Sequence, residues 1–343
     1  MQLRGWVFYT NALYKQSTKM TAKIIVTRKW PSVVEAELSR RYDVELNVDD
    51  VAFTDTQMRD ALCSADAVLT TVTDDVGKHV FESFGGNTIR AKVIGNYGVG
   101  FSHIDIDSAI KNNIMVTNTP DVLSECTADI ALTLMLMVAR RAGEGERQLR
   151  SNGWEGWCPT HMIGTKVSGS TLGIVGFGRI GRETAKRARA FGMKIRVFNR
   201  SPVDPSVLSE FSAVQEGSLE QLMSSVDFLS LHCPGGSENT HLINSDNLAK
   251  MKSTAFIINT ARGEIIDEEA LFNALDRNQI AGAGLDVYQN EPRINSKYFV
   301  FDNVVLLPHL GSATASTREA MGFKVIQNLD QYFAGESPDN RVA

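Results

Sequence analysis

Several things are missing from the 343-residue sequence, and each absence narrows the possibilities. No apolar run approaches the roughly 18–20 residues needed to span a bilayer. The opening Met1 to Met20 carries Arg4, Lys15 and Lys19 but no sustained hydrophobic core of the signal-peptide kind. It reads as a disordered N-terminal extension (1–20) with Met20 close to the functional start, a weak targeting segment being the alternative. No basic block stands out, because the formal charge of -5 arises from interspersed residues, and so no nucleic-acid partner is expected. Cysteine is sparse: Cys63, Cys126, Cys158 and Cys233 are scattered through the chain. That pattern speaks against a disulfide framework and for a reducing, cytoplasmic setting. Repeats and low-complexity tracts are absent, and no metal site is read. What remains is globular composition, 43% hydrophobic and 22% charged, in a chain long enough for two domains.

The most informative stretch runs from Thr171 to Thr184. Leu172 to Val175 reads as a buried strand, Gly176, Gly178 and Gly181 follow in G-x-G-x-x-G spacing, and Arg182 to Phe191 reads as a helix. Gly176 permits a tight strand-to-helix turn, Gly178 lets backbone approach a pyrophosphate, and Gly181 lets helix and strand pack closely. The unpaired N–H groups and peptide dipoles at a helix start favour an anion there. With Phe177, Arg179 and Ile180 between the glycines, and a second strand at Lys194 to Phe198, the stretch reads as a dinucleotide site.

Two α/β units emerge along the chain. In the first, strands are expected at Lys23–Thr27, Tyr42–Leu46, Ala67–Thr71, Ala91–Asn96 and Met115–Thr117, with helices at Pro31–Arg41 and Thr54–Cys63, so the sheet is mostly parallel. In the second, strands are expected at 172–175, 194–198, 227–231, 255–259, 281–285 and 303–307. Helices at 182–191, 218–224, 245–251 and 267–277 make this a doubly wound sheet. Between them, the stretch from Ser124 is apolar almost all round, which suggests a helix buried at a domain or subunit interface, a core helix within one subunit being the alternative. Gln148 to Ser170 reads as a long loop whose Trp154 and Trp157 have something to cover, a partner subunit being one candidate. A last helix, Thr317 to Phe333, returns towards the first unit. The expected division is therefore 21–118 plus 315–343 for the first domain and 119–314 for the dinucleotide domain, with its dimerisation helix and loop.

Open α/β sheets bind ligands beyond the carboxyl ends of their strands. Past the strand at 255–259 lie Thr260, Ala261 and Arg262; past 281–285 lie Asp286 and Glu291; past 303–307 lies His309. Reduction of a 2-oxo acid by a nicotinamide needs a proton donor at the carbonyl oxygen and a cation for the carboxylate. His309 suits the first role. Glu291 would hydrogen-bond the second ring nitrogen, orient the ring and favour imidazolium. Arg262 would grip the carboxylate with a fork of donors that lysine cannot reproduce. Thr71, Val72 and Thr73, past an early strand, either shape the substrate side or are ordinary turn residues.

These pieces carry a resemblance. G-V-G (98–100), N-T-P-D-V-L-S-E-C-T-A-D (118–129), G-I-V-G-F-G-R-I-G (173–181), I-N-T-A-R-G-E-I-I-D (258–267), G-L-D-V-Y-Q-N-E-P (284–292) and L-P-H-L-G-S-A-T (307–314) resemble the D-isomer-specific 2-hydroxyacid dehydrogenase family over roughly 23–340. Within it, 309–318, the H-C-P-G-G-S-E-N-T loop (232–240) and the tryptophan loop are similar to the glyoxylate/hydroxypyruvate and 2-ketogluconate reductase branch. The resemblance implies a Rossmann domain inserted into a flavodoxin-like substrate domain, and a homodimer. It implies Arg262, Glu291 and His309 as catalytic residues, and the amides of Val99 and Gly100 as carboxylate binders. Trp157 would reach the neighbouring subunit's site. Asp286 would hold the nicotinamide carboxamide, and His232, Cys233, Pro234, Thr260, Ala261, His309 and Gly311 would line the cofactor.

The second nucleotide-binding strand ends in Asn199-Arg200-Ser201, where NAD sites place a carboxylate on the ribose 2′-OH. Asn199 removes the charge that would repel a 2′-phosphate, while Arg200 and Ser201 offer donors to it, so NADP(H) is favoured. NAD(H) is the alternative, with Arg200 a solvated surface residue. The function expected is reduction of a small 2-oxo acid, glyoxylate or hydroxypyruvate foremost, to the 2-hydroxy acid. A 2-ketogluconate reductase, another D-2-hydroxyacid dehydrogenase, or a dinucleotide-sensing corepressor on the same scaffold are the rival readings.

Overall fold

The computed structural model describes residues 20–82 and 88–343, so the expected N-terminal extension, apart from Met20, lies outside the described residues. The chain divides into two compact units, Met1–Thr119 with Met321–Ala343, and Pro120–Ala320.

The first unit is built on β1 (Lys23–Val26), β2 (Asp43–Glu45), β3 (Ala67–Thr71), β4 (Val93–Tyr97) and β5 (Met115–Thr117). They form one sheet in the order β2-β1-β3-β4-β5, with every strand pairing parallel. That order is the doubly wound flavodoxin-like arrangement, in which the ligand rim lies at the strands' carboxyl ends. Near-continuous apolar runs such as Val68-Leu69 and Val93-Ile94, fully buried here, are what a sheet covered on both faces requires. The connecting helix Asp55–Ser64 starts at Thr54 with a capping box to Gln57, which satisfies two otherwise orphaned donors. The long helix Ala315–Phe333 packs Gly322 so closely on Val34 that a Cβ would lie 2.5 Å from that side chain.

The second unit holds β6 (Thr171–Val175), β7 (Lys194–Phe198), β8 (Ala213–Gln215), β9 (Phe228–Leu231), β10 (Phe256–Asn259), β11 (Gly282–Leu285) and β12 (Val304–Leu306). Their order is β12-β11-β10-β9-β6-β7-β8, again all parallel. The direction of winding reverses between β6 and β9, which is where such folds bind dinucleotides. Alternate residues feed two cores. Leu229, Leu231 and Ile257 join one cluster, while Leu172, Ile174, Phe228, Phe256 and Ile258 join the other, where Phe228 and Phe256 stack at 5.2 Å.

The apolar helix Ser124–Ala139 lies within the second of these cores, packed through Leu132, Leu134, Met135 and Val138. It packs on its own sheet and on the helix Arg179–Ala190, with Ile130, Leu136 and Met137 only partly buried; truncating Leu134, fully buried, would cost about 2–5 kcal/mol. The helix after the glycine turn starts at Arg179, not Arg182, because small Gly181 can sit inside its first turn. Gln148–Arg150 close a helix that begins at Ala142, so the loop starts only at Ser151. No helix among the described residues is long and apolar enough to cross a membrane.

Candidate active site

The glycine turn connects β6 to the helix at Arg179. Gly176 has φ 90°, and a Cβ there would lie 2.6 Å from the backbone nitrogen of Cys233; a Cβ on Gly181 would lie 2.3 Å from the carbonyl oxygen of Gly176. Both glycines are therefore demanded by the protein's own packing. Gly178 is different: a Cβ there would meet nothing within 4 Å, although the residue is exposed at the helix start. A glycine that packing does not need, at a helix N-terminus, fits a pyrophosphate that must approach the backbone. The residues thus fit a dinucleotide. Around this turn, Arg179 pairs with Asp121. The helix residue Ile180 is half-buried and Phe177 buried.

At the end of β7, Asn199 Oδ1 accepts the Phe177 N–H at 3.2 Å, and its Nδ2 donates to the Ser201 carbonyl at 3.0 Å. This neutral side chain ties the two nucleotide-binding strands together. Arg200 is exposed and ion-paired with Glu238 in the loop after β9, a partner that sequence reading missed. In that loop His232 donates its N–H to Val175 at 2.8 Å, and its ring Nε2 bonds Ser230 Oγ at 2.8 Å. Burial pushes the His232 imidazole down to about 3, so it is neutral at physiological pH. Burial pushes the Cys233 thiol up to about 11. The Pro234 carbonyl accepts from Asn239 at 2.9 Å.

The charged residues gather at the carboxyl ends of β10, β11 and β12. Arg262 follows β10, on a turn that Asn259 holds from inside the sheet: Asn259 Oδ1 accepts the Ala261 N–H at 3.0 Å, and Nδ2 donates to the Arg262 carbonyl at 2.8 Å. Gly263 brings this turn against Tyr288, where a Cβ would come within 2.0 Å of backbone. Burial lowers the Arg262 pKa, opposed by the negative charges of Glu264 and Glu291. Thr260 Oγ1 is buried with no partner among the described residues, a hydroxyl available to a ligand.

His309 sits on a turn with φ 55°, a left-handed conformation that costs a non-glycine residue of order 1–3 kcal/mol. Asp286, past β11, holds it there. Its carbonyl accepts the His309 N–H at 2.9 Å, and its carboxylate accepts the Leu310 and Gly311 N–H groups at 2.7 and 2.8 Å. Burial raises the Asp286 pKa against the pull of those amides and the charge of His309. Gly311 is fastened a second time, its carbonyl accepting from Thr127 Oγ1 at 3.0 Å. The ring Nδ1 of His309 lies 2.7 Å from Glu291 Oε2, while Glu291 Oε1 accepts the Tyr288 N–H at 2.9 Å. Burial works against the Glu291 carboxylate, but the His309 hydrogen bond and the nearby positive charges outweigh it and hold its pKa below the usual value. Tyr288 Oη donates to Leu285 and Leu307 carbonyls, bridging the ends of β11 and β12.

In the first unit, Val99 and Gly100 are half-buried on the turn that follows β4. Trp157 and Trp154 are 80% and 53% exposed, with no partner chain present. Asn259, Tyr288 and Glu238 are the residues sequence reasoning missed. Only Asn259 had a signal, a polar residue closing an otherwise apolar strand.

A Rossmann turn at the winding reversal, with an imidazole–carboxylate pair and an arginine on the same rim, defines a dinucleotide-dependent oxidoreductase. Residues 132–311 match the model of the D-isomer specific 2-hydroxyacid dehydrogenase NAD-binding domain. The chain belongs to that family. It is 42% identical to a glyoxylate reductase of Thermococcus litoralis, covering 94% of this chain and 97% of that one. It is 37% identical to a glycerate dehydrogenase of Hyphomicrobium methylovorum, covering 91% and 96%. Among solved structures, an NADPH-dependent glyoxylate/hydroxypyruvate reductase of Sinorhizobium meliloti, in complex with NADP and malonate, superposes with a TM-score of 0.83 at 30% identity, covering 94% and 97%.

Proposed function

We propose that this enzyme reduces glyoxylate or hydroxypyruvate to the 2-hydroxy acid, the D isomer where C2 is chiral, with NADPH favoured over NADH. The observation that carries the reading is the 2.7 Å contact between His309 Nδ1 and Glu291 on the rim that also bears Arg262. The bound nicotinamide supplies a hydride to the 2-oxo carbon. Glu291 accepts from Nδ1, which turns Nε2 towards substrate and favours the imidazolium form, so that His309 gives its proton to the developing alkoxide. Arg262 and the backbone N–H groups of Val99 and Gly100 bind the carboxylate and the charge that builds beside it. Asp286 fixes the turn bearing His309, and the remaining lone pairs of its carboxylate serve the nicotinamide carboxamide.

NADPH preference rests on Asn199, which places no negative charge at the end of β7, and on Arg200 with Ser201. Arg200 would leave Glu238 to hold a 2′-phosphate, so the preference is a competition between two anions for one guanidinium. Gly176, Phe177, Gly178, Arg179, Ile180 and Gly181 bind the pyrophosphate side, while His232, Cys233, Pro234, Thr260, Ala261 and Gly311 line the rest of the cofactor. The active form is a cytoplasmic homodimer, with Trp157 reaching the partner's site. Support comes from the exposed Leu149, Trp154, Trp157 and Ile163, more large apolar surface than one segment of a monomer normally shows. A steady-state panel of glyoxylate, hydroxypyruvate, pyruvate and 2-ketogluconate, each with NADPH and NADH, tests the assignment. A preference for 2-ketogluconate, or for NADH, sinks the corresponding half of it.

A further inference from the structure

The turn after β4 is held in an unusual way. A trans peptide points its carbonyl and the next residue's N–H in opposite directions, so fixing the carbonyls of Gly98 and Val99 fixes the N–H groups of Val99 and Gly100. Both carbonyls are fixed by neighbours. Gly98 O accepts from Asn96 Nδ2 at 3.1 Å and from the Thr119 N–H at 3.0 Å. Val99 O accepts from Asn118 Nδ2 at 2.9 Å, and Gly100 O from Asn96 Nδ2 at 3.0 Å. Asn96 is fully buried, and its Oδ1 has no partner among the described residues, so its side chain bonds only as a donor to this turn.

The support continues. Asn118 O accepts from Asn328 Nδ2 at 3.1 Å, and Asn328 Oδ1 accepts from Asn340 Nδ2 at 2.9 Å. The Asn118 N–H also donates to Asn340 O at 3.1 Å, and Val342 N–H to Val116 O at 2.7 Å. Three asparagines, Asn118, Asn328 and Asn340, thus run from the turn through the helix Ala315–Phe333 to the last residues of the chain, while Asn96 holds the turn directly. Neutral amides suit this task, because each side chain donates, and that of Asn328 also accepts, without placing a negative charge near an anion site.

We propose that Asn96 and Asn118 are positioning residues for the substrate carboxylate, aiming the Val99 and Gly100 N–H groups outward, with Asn328 and Asn340 bracing Asn118. The inference rests on the reading of those two N–H groups as carboxylate binders. The test measures KM and kcat for glyoxylate, inhibition by oxalate and calorimetric NADPH binding for Asn118→Ala, Asn118→Asp, Asn96→Ser and Asn340→Ala. Val99→Pro and Gly100→Pro, each deleting one N–H, serve as references. Asn118→Ala should raise KM and the oxalate inhibition constant about 5- to 30-fold, the factor attached to one well-placed hydrogen bond, with NADPH affinity unchanged within about twofold. Asn118→Asp, of the same shape but lacking the donor, should do at least as much harm, and Asn340→Ala less. If the proline variants raise KM while the asparagine variants do not, the positioning role is overturned and the carboxylate reading survives. If neither set raises KM, both fall. If the asparagine variants weaken NADPH binding and thermal stability in step with KM, their role is merely structural and the proposal is again overturned.

Discussion

On the reading proposed above, the two rims work with different chemistry. At the carboxyl ends of β10 to β12 the proposed tools are charged side chains, Arg262, Asp286, Glu291 and His309, the last two joined by an imidazole–carboxylate contact of 2.7 Å. At the carboxyl end of β4 the proposed tools are backbone amides, on a turn whose carbonyls accept from asparagines that carry no charge. A group that changes protonation during turnover must be a side chain. A group that only receives an anion can be main chain, provided something rigid decides where it points.

Substitutions should separate the two rims, the largest effect falling on the titrating one. His309→Ala should lower kcat for glyoxylate about a hundred- to ten-thousand-fold, the range for loss of a general acid, with little change in NADPH affinity. Normal turnover by this variant across pH 5–9 would remove the imidazole from the chemistry. Arg262→Ala should damage KM and kcat together, lowering kcat/KM by about thirty- to several-thousand-fold, as expected for a buried charge-assisted contact. An Arg262→Lys variant close to wild type would show that the forked donor is dispensable. At the cofactor end, Arg200→Ala should weaken NADPH binding about tenfold and leave NADH unchanged. Glu238→Gln should strengthen NADPH binding about two- to fivefold, since an exposed ion pair is worth little; fluorescence titration in low and high salt reads both. The last effect concerns stability. His232, pushed down to about 3 by burial, stays neutral in the fold while the unfolded chain protonates it near its ordinary 6.5. The unfolded state therefore binds more protons below pH 6.5, and stability is lost as pH falls from there towards 3, by at most about 1.4 kcal/mol per pH unit. His232→Asn should flatten that part of a urea-midpoint-against-pH curve, and an unchanged slope would contradict the burial argument.

The contrast between rims also explains what could be read without coordinates. Arg262, Glu291 and His309 stood out because residues of titrating or forked-donor type follow apolar strands at regular intervals, and the G-x-G-x-x-G spacing marked the winding reversal. The parallel sheets followed from the same alternation. Glu238 was invisible because its link to Arg200 joins two loops separated by β8 and β9. The asparagines were invisible for another reason: Asn96, Asn118, Asn328 and Asn340 look like ordinary turn or helix residues, and their value arises only when distant segments meet. The Asp286 carboxylate gave a signal but not its whole meaning, since its bonds to the Leu310 and Gly311 N–H groups belong to main chain that sequence does not display.

The open space around Gly178 has a consequence for anyone surveying variants of this chain. Screens that report only yield or melting behaviour should pass Gly178→Ala and reject Gly181→Ala, whose added methyl would strike the Gly176 carbonyl and cost about 1–3 kcal/mol. A screen that reports nucleotide occupancy should reject both. A position that folding tolerates should then be one that the ligand does not.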